Sequence, residues 1–283
     1  MQYSGSFLMT KIETVEQIVR SAGEHILNSS RSIVSEKGSK SNYATACDLK
    51  IEHDLAEKLP QIFPGSTLFS EEGHSVWNPN GLQWIVDPLD GTANFRHNFG
   101  ASAVSVALMA AGKIVLGIVY DAESNRFFSA IFNKGAFLNG KAIKVSTEPM
   151  ERSLAFVQLG VYYKENSHAH ASAILRIFNK CEDVRSIGSA ALELSMIGAG
   201  KAELFYAPRL FPWDFAAASL IIQEAGGRIG PLDQASLFSG NPCAVWAANS
   251  SLNGEKLLNL LRKEESFTSA EKAYMNRKFR PLS

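Results

Sequence analysis

The run Trp84-Ile85-Val86-Asp87-Pro88-Leu89-Asp90-Gly91-Thr92-Ala93-Asn94-Phe95 decides how the rest of the chain is read. An apolar strand ends in two carboxylates, Pro88 stiffens the backbone between them, and Gly91-Thr92 follows at once. Two acids so close on a rigid turn repel each other, and they are reasonable neighbours when a cation sits between them. Hard divalent cations take carboxylate and carbonyl oxygens, and Mg²⁺ completes its shell with phosphate and water. Backbone N–H groups at Gly91 and Thr92, where a helix is expected to start, offer an anion site beside the metals. The chemistry that fits is metal-assisted phosphoryl hydrolysis.

A bare D-x-x-D-G is an ordinary turn, because Asp, Pro and Gly are common turn residues. The full string is more specific: Asp87-Pro88-Leu89-Asp90-Gly91-Thr92 followed by Asn94-Phe95 resembles the signature of the inositol monophosphatase family. Sugar bisphosphatases of the fructose-1,6-bisphosphatase type tend to read D-G-S-S-N here, and nucleotide 3′-phosphatases D-G-T-K-E-F. Ala93-Asn94-Phe95 therefore favours the inositol monophosphatase branch. A second match, Trp213-Asp214-Phe215-Ala216-Ala217, resembles the W-D-x-A-A motif and runs into Glu224-Ala225-Gly226-Gly227. Read from the residues alone, Asp214 is an N-cap of an apolar helix.

The composition is consistent with this reading. A chain of 283 residues with 46% hydrophobic content buries a sizeable core, and a formal net charge of zero gives no electrostatic case for nucleic acid or membrane. Cys47, Cys181 and Cys243 form neither a disulfide framework nor a zinc motif, and they suit a reducing cytoplasm. Residues 1–8 lack signal-peptide character, and no run approaches the ~20 apolar residues of a membrane span. Met9 is an alternative start to Met1. The six histidines show no ligand spacing.

Hydrophobic periodicity predicts helices over 10–29 and from near Asp48 to before Pro64, a strand at Leu68-Phe69, and an antiparallel meander over 102–138. Residues 35–43 are polar and read as a mobile loop, and 135–140 as a turn with a flanking strand. The second half alternates: strands at 154–159, 184–187, 202–206 and 244–248, and helices at 167–179, 190–197, 215–225 and 252–261. Such alternation suggests a sheet covered by helices.

The resemblance spans most of the chain and implies an α/β (α+β) fold, a layered α-β-α-β-α sandwich of the inositol monophosphatase / fructose-1,6-bisphosphatase type. It implies one catalytic domain over 9–265, with lobes at about 9–150 and 151–265, and a polar tail at 266–283. It implies two to three Mg²⁺ ions: Glu71, Asp87 and the Leu89 carbonyl for the first, Asp87, Asp90 and Asp214 for the second, and Glu71 with water for a third. Glu71, Thr92 and Asp48 are the expected catalytic residues, with Thr92 and Asp48 orienting a metal-activated water. Asp90, Gly91, Thr92, Gly188, Ser189, Ala190 and Asp214 are the expected substrate contacts, the middle three from Arg185-Ser186-Ile187-Gly188-Ser189-Ala190-Ala191. Lys37 stands where the family has a Lys near the site, and Cys47 where Thr is common.

One departure bears on substrate. Inositol-selective relatives carry a Glu at the position held here by Ala207, so a hydroxyl-binding acceptor is lost and selectivity is expected to relax. Arg209, close by, is a candidate for an additional phosphate. The expected activity is Mg²⁺-dependent hydrolysis of a small phosphorylated metabolite such as inositol 1-phosphate, in a cytoplasmic homodimer. An NADP(H) 2′-phosphatase and a sugar bisphosphatase are the alternatives. A non-catalytic regulator associating with RNA polymerase or RNA is the reading from another class. The intact acids Asp48, Glu71, Asp87, Asp90 and Asp214 weigh against it.

Overall fold

The computed structural model describes residues 10–39, 42–73, 76–158, 167–232, 237–252 and 254–262. Helices α1 (Ile12–Asn28) and α2 (Ala46–Ile62) carry apolar stripes, Val15, Val19, Ala22 and Ile26 on the first and Ile51, Leu55 and Leu59 on the second. Both stripes face a seven-stranded sheet and form one core with Trp84, Val106, Leu108 and Ile118. Between the helices, β1 (Ile33–Ser39) pairs antiparallel with β2 (Asn42–Thr45). The stretch expected to be a mobile loop is thus largely a hairpin. The pairing runs through backbone hydrogen bonds, which need no apolar alternation. Residues 40 and 41, the Lys37 side chain, residues 1–9 and the tail lie outside the described residues.

The large sheet runs β3 (Thr67–Ser70), β4 (Leu82–Asp90), β5 (Ala103–Ala110), β6 (Lys113–Asp121), β7 (Arg126–Ile131), β8 (Gly135–Leu138) and β9 (Lys141–Ile143), in that spatial order. The antiparallel meander expected over 102–138 is β5 to β8; β4 and β9 extend it antiparallel at either end, whereas β3 joins β4 in parallel. Ala111-Gly112 and Asn139-Gly140 turn two hairpins with positive φ at both central residues, the turn whose twist matches right-handed strands.

The second sheet has the order β11 (Asp183–Arg185), β10 (Leu154–Val157), β12 (Leu204–Leu210), β14 (Cys243–Ala248), β13 (Arg228–Pro231). The last was not foreseen. It is four residues long with one fully buried position, so it has no period to read, and Pro231 is tolerated because the strand is an edge. Helices α5 (Ala190–Gly198) and α6 (Pro212–Glu224) lie between the two sheets, and α4 (Ser167–Phe178) and α7 (Gly254–Arg262) cover the outer face of the second. The layers are therefore α, β, α, β, α. An inner helix has no solvent face, and accordingly every residue of α6 from Phe215 to Ile222 is buried. The helix passes so close to β6 that a Cβ on Gly117 would stand 2.3 Å from the Ala217 carbonyl oxygen. No helix among the described residues is long and apolar enough to cross a membrane.

Candidate active site

The acids gather at the C-terminal end of β4, all nine residues of which are buried. Pro88 lacks an N–H, and the β4–β5 register shifts between Asp87 and Asp90. The freed Leu89 N–H turns back to Asp87 Oδ1 at 3.0 Å. The shift lets both carboxylates leave the strand near the same place. Gly91 then takes a left-handed conformation (φ 89°), and a Cβ there would lie 2.9 Å from the Ala101 carbonyl oxygen. The expected helix start follows as α3 (Thr92–Arg96), only five residues long.

Glu71 continues β3 past its end, its N–H bonded to the Val86 carbonyl at 3.2 Å, so it lies beside Asp87 across a parallel pair. Asp48 sits three positions inside α2 rather than at the N-cap. Thr45 is the cap, and its N–H and Oγ1 both donate to Asp48 Oδ2, at 2.8 and 2.5 Å. The other Asp48 oxygen accepts from Thr92 Oγ1 at 3.2 Å, and Thr92 Oγ1 also lies 3.0 Å from the Leu89 carbonyl oxygen. Asp214 likewise lies inside α6, accepting the Phe211 N–H at 2.7 Å. Ser105 of β5 ties this helix start to the large sheet through the Trp213 carbonyl, at 3.2 Å.

Burial first, then the charges of Glu71, Asp90 and Asp214, hold the Asp87 carboxyl well above the ordinary carboxylate range. Burial also lifts Asp90 to about 6, although the Ser189 hydroxyl and the Ala191 N–H, at 2.5 and 2.7 Å, stabilise its anion. Asp48 is raised by burial against its Thr45 hydrogen bonds, with Glu71 adding to the rise. Among the described residues no three Asp, Glu, His or Cys side chains close into a preformed ligand cage.

The remaining expectations fall unevenly. Gly188 is exposed with φ 81°, but Ser189 and Ala190 are buried, and Ser189 commits its hydroxyl to Asp90. Ala207 is fully buried in the core between the sheets, opposite Val245. Arg209 is exposed, and its guanidinium sits over the Phe211 ring, 5.4 Å from the centroid. Cys47 belongs to the core that α1 and α2 form on the large sheet, and burial pushes its thiol up to about 11. His25 pairs with Asp54 at 3.0 Å.

Sequence reasoning missed Glu193. It is fully buried in α5, and it was legible as the lone carboxylate of an otherwise nearly apolar segment, Ala190–Gly198. Burial raises it from 4.5 to about 8. A carboxyl held above its unfolded value stabilises the fold most below about pH 4.5, and that contribution is lost as pH rises through about 8. Glu193→Gln is therefore expected to flatten the decline in unfolding free energy between pH 5 and 8, by an amount on the order of a few kcal/mol, and with it the decline in melting temperature. Thermal melts of both proteins across that range check this.

The sequence profile of the inositol monophosphatase family matches residues 8–266. Inositol monophosphatase 2 of Solanum lycopersicum is 36% identical over 230 residues, covering 78% of this chain and 86% of that protein. Nus factor SuhB of Escherichia coli (strain K12) is 32% identical over the same length and shares. The crystal structure of extragenic suppressor protein suhB from Bartonella henselae superposes with a TM-score of 0.82 at 26% identity, covering 90% of this chain and all of that one. With the acids of both motifs at one end of β4 and a matching profile over nearly its whole length, the chain belongs to the inositol monophosphatase family.

Proposed function

We propose that this protein is a Mg²⁺-dependent phosphomonoesterase acting on a small phosphorylated alcohol of the inositol 1-phosphate kind. Members of its family are phosphatases. The observation that carries the reading is Asp87, a carboxyl buried in a sheet end with Glu71, Asp90 and Asp214 all acting to raise it. A bare buried anion among like charges is costly, and the oxygen-only donor set suits a hard cation rather than a soft one. On this reading Glu71, Asp87 and the Leu89 carbonyl hold one ion, Asp87, Asp90 and Asp214 a second, and Glu71 a weaker third. When bound, Mg²⁺ supplies charge stabilisation of the phosphoryl group and lowers the pKa of water.

The chain's own residues do the rest. Thr45 fixes Asp48, which takes the Thr92 hydroxyl hydrogen and leaves that oxygen's lone pairs to accept a proton from the attacking water. Water oxygen bonds to phosphorus in line as the ester P–O bond breaks, its proton passing by way of Thr92 to Asp48; the departing alkoxide takes a proton from a solvent water, and the hydroxide so formed takes the proton back from Asp48. The N–H groups of Gly91 and Thr92 hold phosphate oxygens, and Gly188 borders the alcohol. Asp90 and Asp214 reach the same substrate from opposite halves of the chain, with Ser189 and Ala190 supporting Asp90 from behind.

Substrate choice is the open variable of the same chemistry. Where relatives selective for inositol carry a Glu, this chain has the buried Ala207, so no carboxylate stands there for a polyol hydroxyl, and NADP(H) 2′-phosphatase and sugar bisphosphatase activity stay as alternatives. The Nus factor SuhB relatives motivate a regulatory binding role as the second reading. The test is phosphate release from inositol 1-phosphate, NADP⁺, fructose 1,6-bisphosphate and adenosine 3′,5′-bisphosphate, with Mg²⁺ and with EDTA. Release is expected with Mg²⁺, strongest for inositol 1-phosphate, and it should fall to background in EDTA. Release from none of the four would favour the regulatory reading.

A further inference from the structure

The Ile187 residue is gripped from both halves of the molecule. Its N–H donates to Glu193 Oε1 at 2.5 Å, and its carbonyl accepts from Asn94 Nδ2 at 2.6 Å. The Gly188 N–H reaches the same Glu193 oxygen at 3.3 Å. The second Glu193 oxygen accepts from Gln158 Nε2 at 2.6 Å, just past the end of β10. Asn94 gives its other hydrogen to the Ala101 carbonyl at 2.9 Å, so it is anchored in the first half of the chain. The fit is close: a Cβ on Gly188 would stand 3.2 Å from the Asn94 amide. At the far end of this turn, Ser189 Oγ and the Ala191 N–H hold Asp90 Oδ2.

None of these Glu193 bonds serves the packing of α5. A leucine would suit a helix buried between two sheets better than a carboxyl does, and a buried acid is retained only where its bonds are needed. All three donors to Glu193 lie outside the helix, two of them in the turn that runs to Asp90. We propose that Glu193 is a positioning residue: with Asn94 it clamps the 187–191 turn across the two halves, and the clamped turn fixes the orientation of Asp90 and of the Gly188 edge. The effect on turnover rests on the phosphatase reading; the clamp itself does not.

The experiment compares Glu193→Leu, Glu193→Gln and Asn94→Ala with the wild type. Amide hydrogen exchange is followed at residues 187–191 in metal-free protein, beside melting temperature, kcat and KM. Glu193→Leu is expected to raise exchange at 187–191 by at least about tenfold while exchange in β5 and β6 stays at wild-type levels. Its kcat is expected to fall about 10–100-fold with a smaller change in KM, as for loss of a group that orients a ligand-bearing carboxylate. Glu193→Gln restores both, because its carbonyl accepts the two turn N–H groups and the Gln158 amide flips to meet its NH₂. Asn94→Ala loosens the same five amides from the other side, and it carries the test if Glu193→Leu does not fold. Unchanged exchange at 187–191 in both Glu193→Leu and Asn94→Ala overturns the proposal, as does a uniform rise across the whole chain. If the wild type releases no phosphate from any substrate, the phosphatase reading fails, and the exchange result still decides the clamp.

Discussion

Asp87→Asn is expected to abolish phosphate release while raising the melting temperature of the metal-free protein. Two effects of opposite sign meet at this residue. Its carboxyl is the one assigned to both principal ions, so its loss should cost at least about 10³-fold in kcat. Without metal the same carboxyl is a burden, buried and pushed far up by Glu71, Asp90 and Asp214. Asn keeps the oxygen that accepts the Leu89 N–H and removes the charge. Because the Asp87 carboxyl is raised, its contribution to stability falls as pH rises. The advantage of the variant in EDTA should therefore grow as pH rises and shrink as pH falls. Added Mg²⁺ should raise the melting temperature of the wild type but not of the variant, so their order reverses. Asp214→Asn is expected to lose turnover as well. Near-native turnover in either purified variant would remove the assignment, and a lower melting temperature of Asp87→Asn in EDTA would contradict the electrostatic account.

Gly117→Ala should be the most damaging single methyl in the described structure. The added carbon would stand 2.3 Å from the Ala217 carbonyl oxygen and 3.1 Å from its Cα, both backbone atoms of an inner helix that cannot swing aside. Overpacking of this kind is expected to cost about 3 kcal/mol or more. Any relief pushes α6 away from β6, and Asp214 travels with it. Gly140→Ala is the control. A Cβ there meets nothing within 4 Å, so only the strain of its positive φ (76°) remains, roughly 1 kcal/mol. Urea unfolding of the two variants against the wild type checks the contrast, and equal losses would refute it.

What the sequence made legible follows from how each feature is encoded. The meander was readable because Val104 to Ile131 combines β-branched runs with short turns at 111–112 and 122–125, both local signals. The acids were readable because the motifs holding them are contiguous, and they fall where β4 and α6 begin or end. The β1–β2 hairpin was not readable, since its strands announce themselves through backbone pairing rather than side-chain alternation. Nor was the burial of Ser189 and Ala190, which depends on how α5 is wedged between two sheets. Asn94 and Glu193 each looked unremarkable alone. Their meaning lies in Ile187, the residue they share, and no spacing along the chain records a partnership made across the fold.

The division of the acids between β4 and α6 also has a consequence during synthesis. Asp48, Glu71, Asp87 and Asp90 leave the ribosome together, and Asp214 follows later by a time on the order of ten seconds. On the proposed assignment a nascent chain can build its whole first sheet and still lack the carboxylate that completes the site. Translation that stalls or is abandoned in that interval yields a fragment unable, on this assignment, to cleave phosphate esters, so activity waits for the segment that carries α6.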